Sequence, residues 1–214
     1  VYLDAAVDRS YSKFEGDSLL DQVRLLGLER DINRPSFTPP KSAEGAFVDW
    51  RKGNLSTGNY LVLNPGASVA SKRWDTPKSG ELIPQMASIY PGEFVVIEGP
   101  AEQGIGRDIK SMIDDNSIAD RVVINENRPL EEVAHLIYES DGIVSNDTAF
   151  YHMGIVLGVP TLCIFNNADP FLYRLDTGRV RGVYDLRTSE PSVEAVNRAC
   201  REWIAENDIP GGNP

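Results

Sequence analysis

The chain has 214 residues, of which 41% are hydrophobic, and it carries a formal net charge of −11. This length fits one domain of ordinary size, or one domain with an appendage, and the apolar fraction is enough for a full core. The negative charge argues against non-specific binding to nucleic acid and to anionic membrane surfaces, although a local group of basic residues can still bind a phosphate. No stretch has the pattern of a transmembrane helix or a signal peptide.

The first 58 residues differ in pattern from the rest of the chain. A strand is predicted at residues 1–6 and a helix at residues 18–28, and a linker rich in proline and polar groups follows at residues 31–41. The next apolar cluster, Phe47-Val48-Trp50, is too weak to form a core. We interpret residues 1–58 as the remnant of an N-terminal domain with its interdomain linker, or as a segment that wraps around the main domain. The chain starts at Val1 rather than Met, so a fragment and a natural short form both stay open.

From residue 60 onward, apolar runs of strand length alternate with helical patterns. Strands are predicted at residues 60–64, 94–98, 121–124, 142–145, 159–165 and 180–186, and helices at residues 76–90, 105–117, 129–140, 149–157 and 193–205. This alternation predicts an α/β fold with a Rossmann-like, doubly wound parallel sheet. The domain is predicted to span residues 59–207, with a flexible tail at residues 208–214. Cys163 and Cys200 are expected to be buried free thiols rather than a disulfide or a metal site.

The stretch from residue 142 to residue 165 is the most informative. After a short apolar strand, Asn146-Asp147-Thr148 supplies three residue types that cap helices, and a helix follows until Gly158 and Pro160 end it. The helix N-terminus is therefore predicted at the carboxyl end of a strand. Open α/β sheets bind ligands there, and free N–H groups attract anions. For Asp147 a simple helix cap and a ligand-binding role both stay open, and the two are compatible.

The loop after the first predicted strand, residues 64–74, has a composition that suits a phosphate. It combines glycine and small residues with hydroxyls at Ser68 and Ser71 and with the cations Lys72 and Arg73. It is not a Walker A loop, because the G-x-x-x-x-G-K-[ST] pattern is absent. From composition alone, an ordinary polar loop with solvated cations is the simpler interpretation.

Three further polar residues lie near the predicted strand ends or helices. Glu102, after the second strand, is of a type that accepts hydrogen bonds from a ribose or sugar hydroxyl, or is a surface carboxylate. A lone helical histidine such as His152 is more often packed or hydrogen-bonded than catalytic, and His135 is assigned no role. No His, Cys, Asp or Glu cluster has metal-ligand spacing.

Taken together, NPGASVASKRW after one strand, GPAEQ after the next, and SNDTAFYHMGIVLGVPTLCIF followed by ADP resemble the C-terminal half of glycosyltransferase family 9. This family contains the ADP-heptose:lipopolysaccharide heptosyltransferases. The resemblance covers about residues 60–207 and implies one half of a GT-B fold, in which two Rossmann-like domains face a cleft. It implies that this half binds the nucleotide-sugar donor, while the N-terminal domain binds the acceptor and carries the catalytic base.

The resemblance also implies roles for residues in the first two loops. Lys72 matches the lysine that contacts the donor diphosphate, and Ser68 matches a hydroxyl residue of the same loop. Glu102 matches the acidic residue that holds the nucleoside ribose.

The third loop has both matches and departures. Asp147 and Thr148 match the family's Asp-Thr/Ser at the helix start, whose backbone amides meet the phosphates, and His152 matches a histidine that is common in this helix. Ala149 stands where the family usually has glycine, and the larger Phe150 and Tyr151 that follow are expected to crowd the phosphate approach. The turn at residues 166–167 has two asparagines in place of a glycine-containing turn.

The resemblance implies a glycosyltransferase that transfers a sugar, heptose for the heptosyltransferases, from a nucleoside diphosphate to a saccharide or lipid-linked saccharide such as the lipopolysaccharide core. It implies an ADP-linked donor, no metal and no other cofactor. It also implies a cytoplasmic location, with peripheral attachment to the inner membrane through the N-terminal domain. Because the base is not in this chain, the chain alone is expected to be inactive. Two alternatives stay open: a GT-B enzyme such as a sugar-nucleotide epimerase or a transferase for another donor, and a non-catalytic nucleotide-sugar binding or assembly module.

Overall fold

The computed structural model describes residues 37–100, 102–167 and 178–210. Six parallel strands form one sheet in the order β3-β2-β1-β4-β5-β6, which confirms the predicted Rossmann-like α/β class. The strands are β1 Tyr60–Asn64, β2 Glu93–Glu98, β3 Val122–Glu126, β4 Gly142–Asn146, β5 Thr161–Ile164 and β6 Val180–Val183. The strand predicted at residues 1–6 and the helix predicted at residues 18–28 lie outside the described residues.

Helices cover both faces of the sheet, and the side chains of each strand point alternately to one face and to the other. In β1, Leu61 and Leu63 face one core, whereas Tyr60 and Val62 face the other. Seven α-helices in the described part of the chain cover these faces: α1 Glu44–Asn54, α2 Thr76–Ala87, α3 Ile105–Ser111, α4 Asn116–Ala119, α5 Leu130–Tyr138, α6 Ala149–Leu157 and α7 Val193–Glu206. Helices α2, α3 and α7 pack on the Leu61 face, and α1, α5 and α6 pack on the Tyr60 face.

Helix α6 begins and ends at the predicted residues. Gly158 follows it at φ 73°, a left-handed conformation that glycine adopts without steric cost, so this residue ends the helix as predicted. Cys163 and Cys200 are buried free thiols, as expected.

The helix predicted at residues 105–117 was wrong, because the structure contains α3 and α4 instead. The Asp115 carboxylate accepts a hydrogen bond from Ser117 N at 2.9 Å and so caps a new helix. Ile113 is buried although it lies between the two helices. Apolar spacing therefore continued through the break, which is why the sequence pattern did not reveal it.

Other predicted boundaries also move. The first long helix ends at Ala87 rather than at residue 90, and Asp75 rather than Thr76 is its N-cap. The fifth strand is shorter than predicted and spans only Thr161–Ile164. The last strand stops at Val183, because the Asp185 carboxylate accepts hydrogen bonds from the backbone amides of Arg187 and Thr188 and turns the chain. The remaining elements agree with the prediction to within two residues at each end.

Helix α1 was not predicted, yet it is firmly attached to the sheet domain. Phe47 is 3% exposed and stacks on His135 of α5, and His135 Nε2 lies 2.8 Å from the carbonyl oxygen of Pro40. After the helix, the Glu93 carboxylate accepts hydrogen bonds from the amides and hydroxyls of Ser56 and Thr57. Residues 37–58 therefore wrap around the main domain.

At the other end of the chain, the predicted tail from residue 208 starts too early. Ile209 is buried, and its amide donates to the Ile204 carbonyl at 3.1 Å. Residues 211–214 lie outside the described part. None of the described helices combines the length and the apolar character needed to cross a bilayer.

Candidate functional site

The strand order reverses between β1 and β4, which lie side by side although β2 and β3 separate them in sequence. The connection after β1 leads to one side of the sheet and the connection after β4 leads to the other. Such a reversal opens a crevice at the carboxyl ends of the two strands, where doubly wound folds bind ligands. The loop at residues 65–75 and the turn at residues 147–148 flank this crevice.

Lys72 and Asp147 meet across the crevice. Lys72 Nζ lies 2.5 Å from Asp147 Oδ2, and the Asp147 side chain is 3% exposed while that of Lys72 is 32% exposed. A charge-assisted hydrogen bond of this kind holds the ammonium beside the Asp147 carboxylate. The two loops that the sequence placed at the same sheet edge are therefore joined by their charged residues.

Thr148, not Asp147, caps α6. Its hydroxyl oxygen accepts a hydrogen bond from Phe150 N at 3.3 Å, whereas the Asp147 carboxylate points to Lys72. Of the three capping candidates in the sequence, Thr148 is therefore the one whose side chain caps the helix. The N-terminus of α6 still opens beside the Lys72 ammonium, so a cation and the positive end of a helix dipole lie together.

The larger side chains after Thr148 do not crowd this helix end. Tyr151 is fully buried, with its ring 5.8 Å from that of Phe165, and Phe150 packs partly buried against the core on the Tyr60 face. Ala149 alone of these three is exposed. The expected obstruction was wrong, because residues one and two positions further along a helix point to other sides of it.

Polar side chains at the strand ends hold the two loops together. Asn64, the last residue of β1, donates through Nδ2 to Ser145 Oγ at 3.0 Å and to Thr148 Oγ1 at 2.8 Å. Asn146, the last residue of β4, donates to the carbonyls of Pro65 and Gly66 and accepts from Trp74 N. Both asparagines are 95% buried or more.

The sequence interpretation missed this network. It treated Asn146 as a possible helix cap and gave Asn64 no role. The available signal was a recurring one: an asparagine occurs at the end of β1, at the end of β4 and just after β5. A carboxamide at a buried strand end needs hydrogen-bond partners, and the backbone of a neighbouring loop can supply them.

Glu102 lies over the first loop. A Cβ atom on Gly66 would stand 2.8 Å from Glu102 Cγ, and one on Gly99 would stand 2.7 Å from Glu102 Oε2. These glycines therefore leave the space that the Glu102 side chain occupies. The next residues are fixed by the buried Glu98 carboxylate, which accepts from Gly104 N at 2.9 Å and Gly106 N at 2.5 Å. The structure thus brings the second loop beside the first.

His152 lies one turn into α6, on the side of Asp147. Its Nε2 is 3.9 Å from Asp147 Oδ1, too far for a hydrogen bond, and its side chain is 47% exposed. Partial burial lowers the pKa of His152, the Asp147 carboxylate opposes that shift, and the Lys72 ammonium adds to it. The imidazole is therefore neutral near pH 7 and can accept or donate a hydrogen bond at the crevice.

Ser68 and Arg73 also belong to the first loop. Ser68 is exposed in the first loop. Arg73 donates from Nη2 to the Ala67 carbonyl at 3.2 Å and so ties the loop to itself. Within the described ranges, no group of His, Cys, Asp and Glu side chains could hold a metal ion.

Comparisons with known proteins agree with this geometry. A family model for glycosyltransferase family 9 (heptosyltransferase) matches residues 22–200. A family 9 glycosyl transferase of Veillonella parvula has a TM-score of 0.78 and 16% identity over 94% of this chain and 63% of its own. The E. coli ADP-heptose LPS heptosyltransferase II has a TM-score of 0.70 and 16% identity over 86% of this chain and 57% of its own. E. coli heptosyltransferase WaaC with ADP-2-deoxy-2-fluoro heptose has a TM-score of 0.58 and 19% identity over 84% of this chain and 52% of its own. No curated protein sequence gave a match.

At these identities the structural likeness shows the fold, that of a Rossmann-like domain in GT-B glycosyltransferases. The chain spans about half to two-thirds of the length of these solved structures. The family match extends over most of the chain. The protein therefore belongs to glycosyltransferase family 9.

Proposed function

We propose that this chain is the donor-binding half of a GT-B glycosyltransferase, and that it binds the diphosphate of a nucleoside diphosphate sugar at the crevice between β1 and β4. The donor is an ADP-linked sugar, heptose in our proposal, and the acceptor is a saccharide such as the lipopolysaccharide core. The observation that carries the proposal is the Lys72 ammonium held beside the N-terminus of α6.

The electrostatics of the crevice favour a diphosphate over a neutral ligand. The first amides of a helix lack intrahelical acceptors, and the helix dipole adds partial positive charge there. Lys72 supplies an ammonium at the same place, and the Asp147 carboxylate 2.5 Å away balances part of its charge. These groups act locally, so a diphosphate can bind although the chain as a whole carries a charge of −11.

The choice of donor rests on the relatives. One similar solved structure is of E. coli WaaC with ADP-2-deoxy-2-fluoro heptose, and another is of an ADP-heptose LPS heptosyltransferase II. Glu102, beside the first loop, is the proposed acceptor of the ribose hydroxyls. Lys72 and the α6 amides would stabilise the negative charge of the departing diphosphate without a metal ion, while the base would come from an N-terminal domain.

Isothermal titration with ADP and UDP, each with magnesium and with EDTA, tests the proposal. We expect ADP to bind in both conditions and Lys72→Ala to weaken ADP binding roughly tenfold to a hundredfold, the value of a charge-assisted hydrogen bond. Lys110→Ala is the matched control, because Lys110 donates to the Val122 carbonyl at the opposite edge of the sheet. Binding that requires magnesium, or equal loss in both variants, would contradict the proposed site.

Nucleotide preference and turnover separate the alternatives. Tighter binding of UDP than of ADP would favour another donor or a sugar-nucleotide epimerase. We expect this chain alone to show no sugar transfer from ADP-heptose to a lipopolysaccharide core acceptor. Measurable transfer would mean that the base lies within these 214 residues. Absence of binding to both nucleotides would favour an assembly role and overturn the proposed function.

A further inference from the structure

Asn166 and Asn167, directly after β5, contact the backbone on both sides of Lys72. Asn166 Nδ2 donates to the carbonyl of Ser71 at 3.1 Å and to the carbonyl of Arg73 at 2.8 Å. Asn167 Nδ2 donates to the Ser71 carbonyl at 3.2 Å. The carbonyls that precede and follow Lys72 in sequence are therefore both fixed by side chains from another strand.

The backbone that carries Lys72 is a short turn at the surface of the domain. Residues Ala70–Lys72 form one 3-10 turn, closed by the bonds from Lys72 N to the Val69 carbonyl and from Arg73 N to the Ala70 carbonyl. None of its three residues is buried. A short 3-10 turn has poor hydrogen-bond geometry and is marginal by itself. Asn146 fastens the two ends of the loop but does not reach this turn.

The two asparagines are themselves held in place. Asn166 is 5% exposed, and its Oδ1 is buried without a donor, so the bonds from Nδ2 are what orient its carboxamide. Asn167 has φ 47°, a left-handed conformation that asparagine tolerates better than most residues, and its amide donates to the Ser189 carbonyl at 2.8 Å. Asn166 is therefore a buried, fixed support, and Asn167, although exposed, is held by its backbone bond to Ser189.

We propose that Asn166 and Asn167 are positioning residues that aim the Lys72 ammonium at the diphosphate. By fixing the carbonyls on both sides of Lys72, they fix the direction of its Cα–Cβ bond and so deliver the ammonium to Asp147 and the α6 N-terminus. The proposal deepens the proposed function and rests on it, because the diphosphate is the ligand at which Lys72 is aimed. Neither asparagine needs to touch the ligand.

The position of Lys72 is measurable without any ligand. A lysine ammonium held in an ion pair gives an observable ¹H–¹⁵N signal, which Lys72→Arg would identify by its loss. We expect the signal to broaden or disappear in Asn166→Ala and in Asn167→Gly, which keeps the positive φ while removing the carboxamide. It should persist in the control Asn207→Ala, because Asn207 also donates to a backbone carbonyl but lies at the end of α7. An unchanged signal in both variants would overturn the proposal.

Binding of ADP distinguishes positioning from a general structural role. Asn166→Ala should weaken ADP binding roughly threefold to tenfold, the value of lost neutral hydrogen bonds. In a Lys72→Ala background the same substitution should change affinity by less than about twofold, because effects that act through one group do not add. Equal losses in both backgrounds would overturn the proposal. If the wild-type chain bound neither ADP nor UDP while the Lys72 signal still depended on Asn166, the proposed function would fail and the support of Lys72 would stand.

Discussion

The carboxylate of Asp147 lies 2.5 Å from the ammonium of Lys72, although only 3% of the Asp147 side chain is exposed. A buried carboxylate needs a nearby cation, because its desolvation is not offset by water. Lys72 therefore has two roles in our interpretation: it balances a buried charge in the protein itself, and, in the proposed function, it binds a diphosphate. The two roles predict different consequences for folding and for binding.

Lys72→Ala should lower the free energy of unfolding by about 1–3 kcal/mol, because it leaves the Asp147 carboxylate buried without its cation. Lys72→Ala combined with Asp147→Asn should recover much of that loss, since the neutral amide needs no counter-charge. Denaturant unfolding of the two single variants and the double variant measures this coupling. Strictly additive losses would show that the ion pair does not contribute to stability. ADP binding should stay weak in the double variant, because the ammonium is still missing.

Ala149→Gly should retain or increase ADP affinity. The Ala149 methyl group is exposed at the first residue of α6, so its removal opens the approach to the helix amides without leaving a cavity. The cost in stability should be at most about 1 kcal/mol, from helix propensity. Ala205→Gly, at an exposed position near the end of α7, controls for this cost. Weaker ADP binding by Ala149→Gly would mean that the backbone amides at the start of α6 do not bind the phosphates.

The neutral imidazole of His152 predicts a loss of stability on acidification. Burial lowers the pKa of His152 below its ordinary value of 6.5. The unfolded chain therefore takes up the proton first as the pH falls through about 6.5, so the contribution of His152 to stability is present above that pH and decreases below it. The stability difference between wild type and His152→Gln should thus shrink from about pH 7.5 to about pH 5.5. A difference that grew on acidification would contradict the assigned direction of the shift.

The sequence predicted the sheet, and it predicted that the Lys72 loop and the Asp147 turn lie at one edge of it, for physical reasons. The four inner strands are buried along their whole length, and the loop with Lys72 and the turn with Asp147 both follow strand ends. Parallel strands place their carboxyl ends at one edge, so these residues were expected at the same edge of the sheet. Lys72 and Asp147 form an ion pair because β1 and β4 are neighbours in the sheet. The strand order could not be read from the sequence.

The parts that were missed depend on tertiary contacts. Helix α1 has only a weak apolar pattern, and its burial depends on Phe47 stacking on His135, a residue far away in sequence. The asparagine network depends on the loop after β1 approaching the ends of β4 and β5. An asparagine in the sequence favours a cap or a turn, and only the structure shows which carbonyl its amide reaches.

The attachment of α1 to the sheet gives the last prediction. The Glu93 carboxylate is buried, and it accepts hydrogen bonds from the amides and hydroxyls of Ser56 and Thr57 in the segment that follows α1. Burial alone would raise the pKa of Glu93, but these hydrogen bonds outweigh it and lower the pKa from 4.5. The stabilisation is therefore present at neutral pH and is lost as the pH falls below about 4.5, through the lowered pKa.

Glu93→Gln should accordingly lower the free energy of unfolding by about 1–3 kcal/mol near pH 7, because its amide nitrogen cannot accept from the donors that now meet a carboxylate oxygen. The difference from wild type should diminish at low pH, where wild-type Glu93 is itself neutral. Glu81→Gln, at an exposed position of α2, serves as the control for removing one negative charge. Hydrogen exchange provides a local readout: the amides of Ser56 and Thr57 should lose protection in Glu93→Gln, while those of β1 keep theirs. Unchanged protection at Ser56 and Thr57 would show that packing of Phe47, and not the Glu93 carboxylate, holds this segment on the sheet.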